Sequence, residues 1–185
     1  MKIPAYNIFN LLLPFILLLS YNEAKALHII GGDVVYKCLK LDSISRTVRY
    51  QITFTMYRDS KSNGANFDDP TRFGIYRGSG NNWTFIRTVD EINVRDIKNI
   101  DIIDANNPCI LVPVNVGVQS GVYVFEITLP IVNENYLIAY QRCCRNNTIL
   151  NLVDPGSTGA AFTTEITPEA QMKCNNSPTF KSFPP

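Results

Sequence analysis

Histidine is nearly absent: the 185-residue chain has one, at position 28. General bases and zinc ligands are therefore scarce, which argues against hydrolase and metalloenzyme readings. Charge of one sign is missing as well. Lys and Arg number 17 against 16 for Asp and Glu, so the chain carries no basic footprint for nucleic acid or anionic lipid. There is no C-x-x-C pair, no Gly-Lys-Ser/Thr phosphate loop and no G-x-S-x-G nucleophile elbow. Gly78-x-Gly80 has no helix after it and reads as a turn. No segment shows convincing 3.6-residue periodicity, and without helices between strands a parallel α/β sheet cannot be built. Charged residues make up only 18% and aromatics reach 11%, a composition that folds rather than stays disordered.

The first 26 residues read as a secretory signal peptide. Lys2 gives a weak positive start. The apolar stretch Leu11–Leu19, interrupted by Pro14, is shorter than the ~20 residues needed to span a bilayer. Ala24-Lys25-Ala26 is an A-x-A cleavage pattern, placing the mature start at Leu27. An uncleaved anchor is the alternative, and Asn10 and Pro14 weaken it. Losing Lys2, Lys25 and Glu23 leaves the remaining charges balanced. No later apolar run reaches spanning length. The expectation is an exported chain, extracellular or on the cell surface.

From residue 27 the dominant pattern has period two, the signature of half-buried strands. In Thr47–Tyr57, Val48, Tyr50, Ile52, Phe54 and Met56 share one face, and Arg49, Gln51, Thr53 and Thr55 the other. Further strands are expected over Asp33–Leu41, Phe73–Arg77, Trp83–Val89, Glu91–Ile97, Cys109–Val116, Gly121–Leu129, Tyr136–Arg142 and Ala160–Thr167. The spacing predicts an all-β, antiparallel Ig-like sandwich of roughly eight strands over residues 27–170. Asn pairs at 81–82, 106–107, 146–147 and 175–176 fall at predicted turns, where Asn tolerates left-handed backbone. Residues 171–185, with three prolines and no alternation, read as a linker-like tail.

The five cysteines at 38, 109, 143, 144 and 174 all follow the signal, so pairing is expected. Successive strand residues point to opposite faces. Cys143 and Cys144 are therefore expected to bond distant partners, with Cys38 and Cys109 available. Cys174, in the tail, is the thiol expected to stay unpaired.

Few residues suggest chemistry. The loop Asp59–Asp69 aligns Asp59, Asn63 and Gly64 with an EF-hand template, but Lys61 and Pro70 break it. A looser calcium site from Asp59, Asp68 and Asp69 is the only cofactor candidate. Trp83 with Tyr76 and Arg77 on one hairpin could stack against a sugar ring, although the core is the expected place for a lone Trp. The glutamates that follow the signal, Glu91, Glu126, Glu134, Glu165 and Glu169, sit in no distinctive setting. The expectation is a protein that is not an enzyme.

Six stretches resemble a known family: HIIGGDVVYKC (28–38), RYQITFTMYRDS (49–60), FGIYRGS (73–79), SGVYVFEITLP (120–130), YLIAYQRCCRN (136–146) and VDPGSTGAAFTTEITPEA (153–170). They look like the N-terminal region of large exported Bacteroidetes surface proteins, the PKD-domain or gliding-motility-associated C-terminal-domain family. The resemblance implies a β-sandwich module followed by Ig-like repeats and a domain read by type IX secretion. This chain stops at Pro185 without them, and the expectation is a truncated member. The function so implied is a structural or adhesive surface module, whose partners are downstream domains, other surface proteins or glycans. The alternative is a carbohydrate-binding module of an extracellular enzyme.

Overall fold

Five side chains in one strand set the core. Val48, Tyr50, Ile52, Phe54 and Met56 are all fully buried, while the residues between them are half-buried or exposed. The strand that carries them, β2 (Thr47–Asp59), lies between β1 (Ile29–Asp42) and β6 (Val118–Pro130). The computed structural model describes residues 28–62, 64–100, 117–146 and 149–179. Two four-stranded antiparallel sheets face each other. The first has the order β1-β2-β6-β5, with β5 spanning Val94–Ile100. The second has the order β4-β3-β7-β8, with β3 at Thr71–Ser79, β4 at Asn82–Ile92, β7 at Asn135–Cys143 and β8 at Gly159–Ile166. The expected all-β sandwich is what the chain forms. The expected strand at Cys109–Val116 lies outside the described residues, as does the whole signal segment.

Aromatic side chains fill the space between the sheets. Phe54 meets Phe73 at 5.4 Å, Tyr123 at 5.6 Å and Tyr140 at 4.9 Å between ring centroids. Phe73 in turn meets Phe125 at 4.8 Å. The Phe54–Tyr123 contact lies within the first sheet, and the other three run from the first sheet to the second, so the two layers are joined through rings. Asn93 alone separates β4 from β5, which closes one side of the sandwich.

The other side is closed by residues 168–179, so the tail expected to be linker-like from residue 171 instead packs on the sandwich over its described part. Residues Pro168–Lys173 form a short helix, α1. Thr167 caps it by accepting a hydrogen bond from the Ala170 N–H, and Pro168 occupies the first turn, where a missing N–H does no harm. Six residues would not stay helical alone; packing holds them. The Tyr50 hydroxyl donates to the Ala170 carbonyl at 3.0 Å. Gln171 is fully buried; its oxygen accepts from the Val132 N–H and its nitrogen donates to the Glu134 and Ile166 carbonyls. Past the helix, Asn176 and Ser177 bond the outer edge of β1 at Tyr36 and Cys38.

Both cysteine expectations change with it. Cys174, expected to be unpaired, bonds Cys38 across 5.3 Å between Cα atoms. It reaches that partner because Cys174 ends the helix in a left-handed turn at φ 50° and residues 176–177 then bond the edge of β1 at Tyr36 and Cys38. Cys143 and Cys144, expected to bond distant partners, bond each other. The opposite-faces argument holds only inside a strand. β7 ends at Cys143, and Cys144 turns out of it at φ 108°, bringing its thiol back beside its neighbour. Cys109 lies outside the described residues.

Candidate functional site

The outward face of the second sheet is aromatic. Strand register sets three rows across it. The middle row runs Phe85, Tyr76, Leu137, Glu165; on one side lie Thr88, Gly74, Ala139 and Thr163; on the other lie Trp83, Gly78 and Asn135. Phe85 is 54% exposed. The Tyr76 and Phe85 rings meet at 5.5 Å and 67°, so one forms a floor and the other a wall. Gly74 permits that floor: a Cβ there would lie 2.7 Å from a Tyr76 ring carbon and 3.0 Å from its hydroxyl. The Tyr76 ring therefore lies across residue 74.

Trp83 is half-buried on this same face and is not part of the core. Its indole N–H donates to the Gly80 carbonyl at 2.7 Å, which fixes the ring at the hairpin tip. Arg77, grouped with these two by sequence, is not on this face. It follows Tyr76 and points the other way, pairing with Glu134 at 2.8 Å. Phe85, which sequence reasoning missed, takes its place. Phe85 lies two residues beyond Trp83 in one strand, so the period-two rule already placed both on one face.

The structure does not assemble the calcium candidates. Asp59 accepts from the Lys61 N–H and the Asn146 side chain. Asp69 accepts from Asn93 and from the Val94 N–H. Asp68 pairs with Arg142 at 3.0 Å and accepts from the Tyr140 hydroxyl at 2.6 Å. Each carboxylate thus fastens the 59–70 loop to a different element. Among the described residues, no three His, Cys, Asp or Glu are placed to hold a metal ion.

Beneath that loop lies a buried polar cluster that the sequence did not announce. His28 is fully buried and Arg58 is 7% exposed. Arg58 donates to the Asn66 side chain at 2.6 Å, and Arg142 donates to the Asn66 carbonyl at 3.2 Å. The Arg58 guanidinium also stands over the Phe67 ring at 5.6 Å. Burial, then Arg142 and Arg58, lower the His28 pKa to about 4 against the opposing pull of Asp68. Burial raises the Tyr140 and Tyr123 phenols above their ordinary range, and Asp68 beside them adds to the shift. His28, Arg58 and Arg142 come from three distant parts of the chain, so no local motif joins them.

Among the described residues, no helix is long and apolar enough to cross a membrane. Comparisons with protein-family models, with curated proteins and with solved structures find no match.

Proposed function

We propose that this chain is an exported, disulfide-locked β-sandwich module of the cell surface that holds its shape outside the cell and presents a binding face, with no catalytic action of its own. The observation that carries the reading is the Cys38–Cys174 bond. It ties the first described strand to the last described segment, over a sequence separation of 136 residues. Such bonds form and persist in oxidising compartments. The Met1–Ala26 signal pattern and the resemblance to exported Bacteroidetes surface proteins support the same reading. The test is expression with the leader in a Bacteroidetes host, followed by fractionation and N-terminal sequencing. Surface or extracellular protein that starts at Leu27 and carries an intact Cys38–Cys174 bond is expected. Protein that stays in the cytoplasm with free thiols and an intact Met1 argues against it.

A second reading, carbohydrate binding, is favoured by the floor and wall of Tyr76 and Phe85. A pyranose ring presents an apolar face that stacks on an aromatic floor. Saturable binding on a glycan array that is lost in both Trp83→Ala and Tyr76→Ala is the outcome expected of this reading. Binding that survives both substitutions places the ligand elsewhere.

A further inference from the structure

The two disulfides differ in setting. Cys38–Cys174 joins distant segments, and both of its residues are half-buried against the core. Cys143–Cys144 joins chain neighbours, and Cys143 is exposed. The strand beside it leaves it uncovered. Cys143 pairs with Gly159, and Ala160 and Ala161 come next, so β8 begins with three residues that have no side chain beyond Cβ. With Gln141, Arg142 and Cys143 they line an open cleft of about 400 Å³. A small molecule can reach this bond from solvent.

The pair also sits where the chain passes from one sheet to the other. β7 belongs to the second sheet and β1 to the first. Cys144 has φ 108°, a backbone that a residue with a Cβ seldom holds unaided. Its bond to Cys143 ties the two residues into one ring, which restricts the backbone between them. The turn so made carries the next two residues onto β1. Arg145 bridges Ile29 in parallel, and the Asn146 N–H donates to the Ile29 carbonyl at 3.0 Å. The Asn146 side chain donates to Asp59 at 3.0 Å. The Arg145 N–H donates to the Pro155 and Thr158 carbonyls, and its Nε to the Gly159 carbonyl. Residues 145–146 thus gather the start of β1, the end of β2 and the 155–159 segment at one point, and they arrive there through the turn at Cys144.

We propose that Cys143–Cys144 is an exchange site for a small thiol, and that opening it unlatches residues 145–146 from β1. The thiolate attacks Sγ of the exposed Cys143. A new S–S bond forms there, the Cys143–Cys144 bond breaks, and Cys144 leaves with the electron pair and takes a proton from water. A second thiolate attacks the small-molecule sulfur of the mixed disulfide, and Cys143 leaves in the same way. The protein gains two electrons and two protons, and the two small thiols depart as their disulfide. Without the ring, Cys144 relaxes to negative φ and the chain no longer points at Ile29. Cys38–Cys174 stays shut, so one corner opens while the sandwich stays folded.

The test uses reduced glutathione as the probe, on the oxidised full chain carrying Cys109→Ser so that the fifth cysteine takes no part. Peptide mapping after an acid quench should find glutathione on Cys143 before any appears on Cys38 or Cys174. Amide hydrogen exchange should then speed up about tenfold at Arg145 and Asn146, with Ile52 and Phe54 in β2 unchanged. Cys143→Ser/Cys144→Ser should exchange as fast at Arg145 and Asn146 without any thiol. Glutathione appearing first on Cys38 or Cys174 overturns the proposal. So does slow exchange at Arg145 and Asn146 in the opened chain or in the double variant, and so does equal acceleration in β2, which would mean that the whole domain unfolds.

Discussion

An imidazole buried between two guanidiniums resists protonation, and this fixes how the protein responds to acid. The folded chain holds His28 neutral down to about pH 4, whereas an ordinary histidine protonates near 6.5. Below 6.5 the unfolded state therefore binds a proton that the folded state refuses. Stability from this group is fully present above pH 6.5 and is lost as pH falls toward 4. Between pH 7 and 5 the loss amounts to about 2 kcal/mol. Urea unfolding should show that slope, and His28→Gln should flatten it. An unchanged slope in the variant would assign the acid sensitivity to other groups.

Two glycines two residues apart in the same hairpin turn make opposite demands. Gly78 sits at φ 152°, and a Cβ there would lie 1.9 Å from the Asn82 carbonyl oxygen. Gly78→Ala should therefore destabilise by about 2 kcal/mol or more. Gly80 sits at φ 57° with open space around it, a conformation Asn accepts. Gly80→Asn should stay within about 0.5 kcal/mol of the parent. Thermal unfolding of the pair checks both, and equal losses would contradict the assigned backbone geometry.

At the scale of elements, α1 shows how a short helix depends on what it touches. Replacing Gln171 by Leu keeps bulk but strands the Val132 N–H and the Glu134 and Ile166 carbonyls. The expected loss is about 2–4 kcal/mol, read from the urea midpoint. A midpoint unchanged from the parent would mean that α1 is not docked as described. The same helix shows where sequence reading stopped. β2 was legible because five apolar side chains alternate without a break, and the sheets follow from such runs. In α1 only Thr167-Pro168 signals a start, and six residues are too few to display a helical period. Its burial comes from β2 and the β6–β7 turn, which are distant in sequence. The binding face was half legible. Alternation places Trp83 with Phe85 and separates Arg77 from Tyr76, but the ring of Tyr76 lies flat only because Gly74 is its neighbour two residues back. The cysteine pairing failed for a related reason. It assumed strand geometry at Cys144, one residue past the strand's end.

For the whole molecule, the open sides of the sandwich decide whether it stays single. A strand edge with free N–H and carbonyl groups is a template for another chain. On β1 that edge is occupied at Tyr36 and Cys38 by Ser177 and Asn176, and the Cys38–Cys174 bond keeps them there. The bond closes a span of 136 residues, worth about 5 kcal/mol in the chain-entropy account. Cys174→Ser should therefore do two separable things. It should lower stability by a few kcal/mol, and it should let residues 175–179 lift from β1. The exposed edge and the free Cys38 thiol then offer two routes to association. Light scattering of Cys174→Ser and of Cys38→Ser/Cys174→Ser, each with and without reductant, tells them apart. Dimers that vanish with reductant and are absent from the double variant come from a Cys38 cross-link. Dimers that persist in the double variant come from β1 edges pairing. Both variants staying monomeric at concentrations where strand edges normally associate would show that Asn176 and Ser177 guard the edge without help from the disulfide.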